Sequence, residues 1–160
     1  MLANKAPATE SAERLSTRVF TELHRSILNH EAGAVAGDVE AVHDMRVAIR
    51  RLRVALSNFA FCIGREDRQR LRTRLEHLAG ALGGVRDLDV MIAALESNLP
   101  VRIAVDRPAI SAWIRRLKSR RRGRQRQLSE YLCGEEYAAF KREFPPEAEP
   151  QEGRSHGEAA

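Results

Sequence analysis

Apolar residues recur along this chain every three or four positions, in four separate stretches. In the second, Met45, Ile49, Leu52, Leu56, Phe59 and Ile63 alternate spacings of four and three, which places all six on one face of an α-helix. The first carries Leu15, Val19, Leu23 and Ile27, with Phe20 and Leu28 widening the stripe. The third carries Leu71, Leu75, Leu78 and Leu82 and resumes as Val85, Leu88, Ile92, Leu95 and Leu99. The fourth carries Ile110, Trp113, Ile114, Leu117, Leu128 and Leu132. There is no strand signal and no tandem repeat, and few of the apolar residues are aromatic. Four amphipathic helices with short connections predict an all-α chain folded as an up-down four-helix bundle.

Cap and breaker residues set the expected boundaries. Residues 1–8 read as a disordered start, and Thr9 offers an N-cap oxygen ahead of Glu10 and Glu13, so the first helix is expected over residues 10–30. Gly33 and Gly37 break the pattern, Asp38 caps a second helix over 39–63, and Gly64 ends it. The third helix runs from about Glu66 to the stop at Pro100, and the pair Gly83-Gly84 is expected to kink or divide it. The fourth starts after Pro108 and ends at Gly134, and 135–144 reads as a last helical turn or two. Residues 145–160, opening with Pro145-Pro146, read as a disordered acidic tail after a single domain at 9–144.

A domain of this length buries roughly two-thirds of its unfolded surface and needs no disulfide or metal for stability. Cys62 and Cys133 stand alone without CxxC or CxxH spacing, which reads as two buried, reduced thiols. Residues 1–30 contain no apolar leader segment, and no stretch approaches the ~20 apolar residues of a membrane span. The expected location is cytoplasmic, with no membrane partner.

The formal net charge is +5, and the segment 145–160 holds four Glu and one Arg, so residues 1–144 carry +8. Of the 27 Lys and Arg residues only Lys5, Lys118 and Lys141 are lysines. An arginine-dominated surface favours phosphate, because the planar guanidinium donates to two oxygens at once.

The most informative stretch is His43 to Arg53. At 100° per residue, His43, Arg46, Arg50 and Arg53 fall within an arc of about 80°, beside the Met45/Ile49/Leu52/Leu56 stripe. Guanidiniums at such spacings repel one another by a few tenths of a kcal/mol per pair, which a solvated, salt-bridged face would avoid by placing Glu among them. His43 alone reads equally as a neutral histidine near a helix start or as a donor to an anion there. Arg51 points elsewhere and reads as ordinary surface charge.

The fourth helix repeats the theme, with eight Arg or Lys among the twelve residues 115–126. Arg115, Lys118, Arg122 and Arg126 share one side and are expected to form a second basic wall facing the first. Arg121 falls in line with the apolar stripe, so it must meet a carboxylate, a phosphate or a wet groove. In the third helix Arg86 can add a cation to the groove, while Asp87 or Asp89 can hold an Arg in place or cap a half-helix. Two carboxylates at i and i+2 point different ways and are not an acid/base pair.

Rival chemistries have weaker support. The basic stripes lack interleaved aromatics and helix-turn-helix spacing, which ranks nucleic-acid binding second. Glu40-Ala-Val-His43 is a single ExxH, whereas a bundle metal centre needs two plus two further Glu, so no metal or other cofactor is expected. No nucleophile triad or P-loop is present, and the chain reads as non-enzymatic.

These residues also match a known pattern. HDMRVAIRRLRVALSNF (His43–Phe59) together with LGGVRDLDV (Leu82–Val90) strongly resembles the CHAD family, the conserved histidine α-helical domain, and LSEYLCGEEYAAFKREF (Leu128–Phe144) looks like the end of a CHAD half. The resemblance covers roughly residues 11–144. It implies a helical bundle that binds inorganic polyphosphate through basic residues lining a groove. It assigns His43, Arg46, Arg50, Arg53 and Arg86 to that site, with Lys118, Arg121 and Arg122 matched more by composition than by spacing. Family members usually contain two similar four-helix halves, of which this chain resembles the first, so a C2 homodimer is expected to rebuild the whole. The expected setting is the cytoplasm, in company with polyphosphate granules.

Overall fold

A computed structural model of the chain describes residues 11–98 and 106–144. Every regular element among them is helical: α1 (Ala12–Asn29), α2 (Glu31–Ala36), α3 (Val39–Asn58), a 3-10 turn (Ala60–Cys62), α4 (Arg65–Asn98), α5 (Arg107–Leu132) and α6 (Glu135–Glu143). The expected disordered ends at 1–8 and 145–160, the Thr9 cap and the Pro100 stop lie outside the described residues.

Local chemistry accounts for the ends. Ser11 caps α1, its hydroxyl accepting from the Arg14 N–H, and Asp38 caps α3 as expected, its Oδ1 accepting from the Ala41 N–H at 2.7 Å. Gly33 does not break the chain. A six-residue helix, α2, forms there and ends at Gly37, whose φ of +84° suits glycine. The carbonyls left over at the end of α2 are satisfied from α5: Gln125 Nε2 donates to Ala34 O at 2.8 Å and the Ser129 hydroxyl to Val35 O at 2.9 Å. The second expected helix stops at Asn58, and its remainder tightens into the 3-10 turn.

α4 packs along α3 on one side and along α5 on the other, α1 packs along α3, α2 bridges α3 and α5, and α6 reaches α4 and α5. Both neighbours of α4 run antiparallel to it, since Arg53 meets Glu76 while Arg46 meets Gly83, and Arg124 meets Gly84 while Lys118 meets Glu96. The main core takes Val42, Met45, Ile49 and Leu52 from α3, Leu71 to Val85 from α4, and Tyr137 and Phe140 from α6.

On α1 the buried stripe is Ser16, Phe20, His24 and Ile27, one residue round from the expected Leu15/Val19/Leu23 row, which is only partly buried. The rotation follows from the aromatic cluster beneath it: Phe20 meets Phe59 and Phe144 edge-on, and the His24 ring lies 5.0 Å from Phe144 and 5.5 Å from Phe140.

α4 is one helix of 34 residues, so Gly83-Gly84 does not divide it. At 1.5 Å per residue it is about 50 Å long, against about 30 Å for α3, and among the described residues the small cluster at its far end draws only on α4 and α5. There Leu88, Ile92, Ile114 and Leu117 form a small second cluster. Two helices bury only a narrow stripe of each other, which leaves Trp113 half-exposed instead of on the core side where the apolar pattern placed it. Cys62 is buried, whereas Cys133, at the C-cap of α5, is exposed, contrary to expectation.

Candidate basic groove

The apolar face of α3 turns Val42, Met45, Ile49, Leu52 and Leu56 into the core and leaves Arg46, Arg50 and Arg53 exposed along one edge, with His43 half-buried beside them. Asp38 holds the cap, so His43 sits inside the helix and does not serve as its N-cap. That edge faces α4. The Arg46 guanidinium lies against Gly83 so closely that a Cβ there would stand 2.7 Å from Nη1. The missing side chain is therefore a notch that admits an arginine from the next helix, and this is the physical role of the glycine in an unbroken helix.

The adjoining glycine is in ordinary contact with the opposite neighbour. Arg124 of α5 lies across Gly84, its Cδ 3.5 Å from where a Cβ would be, while its Nη1 donates to Gln127 Oε1 at 3.1 Å. Arginines of α3 and α5 thus reach the same turn of α4 from its two sides. Further along, Arg53 approaches Glu76 at 3.7 Å, and Arg72 Nε donates to the same carboxylate at 3.0 Å. Beyond it Arg50, Arg53, Arg68 and Arg72 line a cavity of about 690 Å3 between α3 and α4. Arg68 also donates to Ala60 O at 2.9 Å, which ties the connecting turn to α4. From Arg68 to Gly84 this basic face extends about 24 Å.

Compensation is sparse. Among the described residues, Arg46, Arg50 and Arg86 have no carboxylate partner, and Glu76 is shared by two guanidiniums. Arg86 is half-buried one turn beyond Gly83.

The expected second wall is different. Lys118 pairs with Glu96 at 2.6 Å, away from the glycine pair. Arg121 is largely buried, its Nε donating to Asp89 Oδ1 at 2.8 Å and its Nη2 to Gly37 O at 2.8 Å. Its fork is used in joining α5, α4 and the turn before α3, and Asp89 is the carboxylate that holds it. Arg122 is exposed, but two residues from Arg124 on a helix is about 160° round the axis, so it faces elsewhere. The α5 cation at the glycine pair is Arg124, and from α4 itself come Arg68 and Arg72. Sequence reasoning missed all three. Arg68 and Arg72 carry the same i, i+4 like-charge signal as Arg46 and Arg50, whereas Arg124 is recognisable only from the packing of α5 on α4.

Among the described residues, no three His, Cys, Asp or Glu side chains converge as a metal site would require, and no helix is long and apolar enough to cross a membrane. The CHAD domain family model matches residues 18–158, nearly the whole chain. The chain belongs to the CHAD domain family. CHAD domains are linked in general with polyphosphate binding. No curated protein matches this CHAD chain.

Proposed function

We propose that the groove between α3, α4 and α5 binds inorganic polyphosphate, and that the protein is a cytoplasmic binding module without catalysis of its own. The observation that carries this reading is the gathering of Arg50, Arg53, Arg68 and Arg72 from α3 and α4 round one cavity, with Arg46 further along the same edge of α3 and, among the described residues, no carboxylate partner for Arg46 or Arg50. A flexible chain with about one negative charge per unit offers each guanidinium a pair of oxygens and releases counterions as it binds. His43, Arg46, Arg50, Arg53 and Arg86 are the ligand residues carried over from the family pattern, joined here by Arg68, Arg72 and Arg124. Arg121 acts as a strut, and Lys118 and Arg122 are peripheral. No aromatic side chain lines the cavity, so bases of a single-stranded nucleic acid have nothing to stack on there.

The protein functions as a homodimer in this reading. Support comes from the α4–α5 overhang, where a small cluster is formed, among the described residues, by these two helices and Val90, Met91 and Trp113 stand half-exposed.

The direct test is Arg50→Glu combined with Arg53→Glu. Both side chains are exposed, so the fold should persist, shown by unchanged helical circular dichroism. Polyphosphate affinity at moderate salt is expected to fall about a hundredfold, the size expected for two charge-assisted pairs converted to repulsion. Unchanged affinity would remove the site. Competition with DNA or RNA of equal charge separates polyphosphate from a general polyanion.

A further inference from the structure

The two ends of the groove differ. Toward the overhang, Arg46 covers the buried Gly83 and Arg124 lies over the half-buried Gly84, and neither residue is part of a chain connection. At the other end α3 and α4 are joined by only six residues, 59–64, and this connection crosses from one helix to the other. Ala60 lines the cavity there, and the Arg68 hydrogen bond to its carbonyl fixes the crossing in place. A strand lying along the groove from the open end meets four guanidiniums, those of Arg50, Arg53, Arg68 and Arg72, immediately before the turn.

The concentration of charge is greatest where the path stops. Arg50 has no carboxylate partner, and the carboxylate nearest the cavity is Glu76 at its edge, already shared between Arg53 and Arg72. The Ser57 hydroxyl donates to Arg53 O, so its oxygen presents lone pairs to the cavity and no spare proton. Charged donors to an anion in this space are therefore the guanidiniums, with the Gln69 amide as a neutral one. An interior unit of a phosphate chain carries one negative charge. A terminal phosphoryl group has a second ionisation near pH 6, which gives it roughly −1.5 to −2 at neutral pH and three acceptor oxygens. Four cations closing one cavity suit the terminal group better than an interior one.

We propose that this cavity, bordered at one end by the connection, is a socket for the end of the phosphate chain, so that the protein captures termini and lays the following units toward Arg46. The inference rests on the polyphosphate reading and names the part of the polymer that is recognised.

Stoichiometry tests it directly. Titration of the full chain with linear polyphosphates of two very different lengths should give two occupied sites per polymer in both cases, one per end. Blocking the ends as alkyl phosphoramidates should lower affinity about tenfold, the loss of roughly one charge-assisted pair. Arg72→Gln, an exposed substitution, should weaken binding of free-ended chains more than binding of blocked chains, so that the ratio of the two affinities falls. Occupancy that rises in proportion to polymer length, or equal affinity for blocked and free chains, overturns the socket. If that binding is still abolished by Arg50→Glu with Arg53→Glu, the polyphosphate reading stands and only the socket falls. If linear chains do not bind at all, both fall.

Discussion

Gly83 sits mid-helix against a propensity difference of about 1 kcal/mol in favour of alanine. A Cβ there would meet only Arg46 Nη1, the far end of a flexible side chain, so the arginine and not the helix would yield. Gly83→Ala is therefore expected to leave stability unchanged or raise it by up to about 1 kcal/mol, while displacing the guanidinium that the notch admits. Polyphosphate affinity should drop about fivefold, less than the tenfold that 1.4 kcal/mol represents. Thermal unfolding and a binding titration on the same sample check both halves. A variant that is destabilised and binds normally would mean that the glycine serves packing alone. Arg121 shows the opposite use of an arginine. Breaking its pair with the buried Asp89 from one side leaves a charge stranded, whereas Arg46 and Arg50 stay solvated without any protein partner.

At the scale of the element, α6 is held by aromatic packing against α1. Phe140 and Phe144 lie on the His24 ring, and His24 Nε2 is buried without a hydrogen-bond partner. Burial pushes the His24 pKa below its ordinary 6.5, so the folded protein holds the ring neutral. The unfolded chain takes up a proton on this ring as pH falls through 6.5, before the folded chain does. This contribution to stability is complete above that pH and is lost as pH falls toward the lowered folded value. Wild-type Tm should decrease from about pH 7.5 to about pH 5, and His24→Leu should flatten part of that fall. Identical slopes in the two proteins would show that His24 does not titrate on unfolding. The histidine is in register with Phe20 and Ile27, but the Leu15, Val19 and Leu23 row beside it outweighs that signal in the sequence, and the aromatics that bury it come from a distant element. The four long helices were legible because their buried residues repeat over many turns, and the α3 arginine edge because it borders such a stripe. α2 is too short to show a period. α5 carries cations on both sides of its apolar stripe, so its sequence does not say which of them borders Gly84, and the choice of Arg124 over Lys118 and Arg122 came from tertiary packing.

At the scale of the molecule, α4 and α5 extend past α3 as a pair, and a pair of helices cannot enclose a core. Leu88, Ile92, Ile114 and Leu117 pack together there, yet Val90, Met91 and Trp113 remain 43 to 51% exposed around them. A second copy placing the same overhang against this one would cover both sets by symmetry, since an isologous interface uses one patch twice. Wild-type protein is expected to sediment as a dimer at micromolar concentration. Met91→Arg combined with Trp113→Arg should give a monomer of unchanged helicity, because both side chains are already partly solvated and the substitutions leave the small cluster intact. The monomer retains its own α3–α4 cavity, so affinity for a short phosphate chain should persist, while the added avidity of two sites for one long polymer should disappear. A wild-type monomer, with or without polyphosphate, would reject the dimer and leave the groove itself untouched.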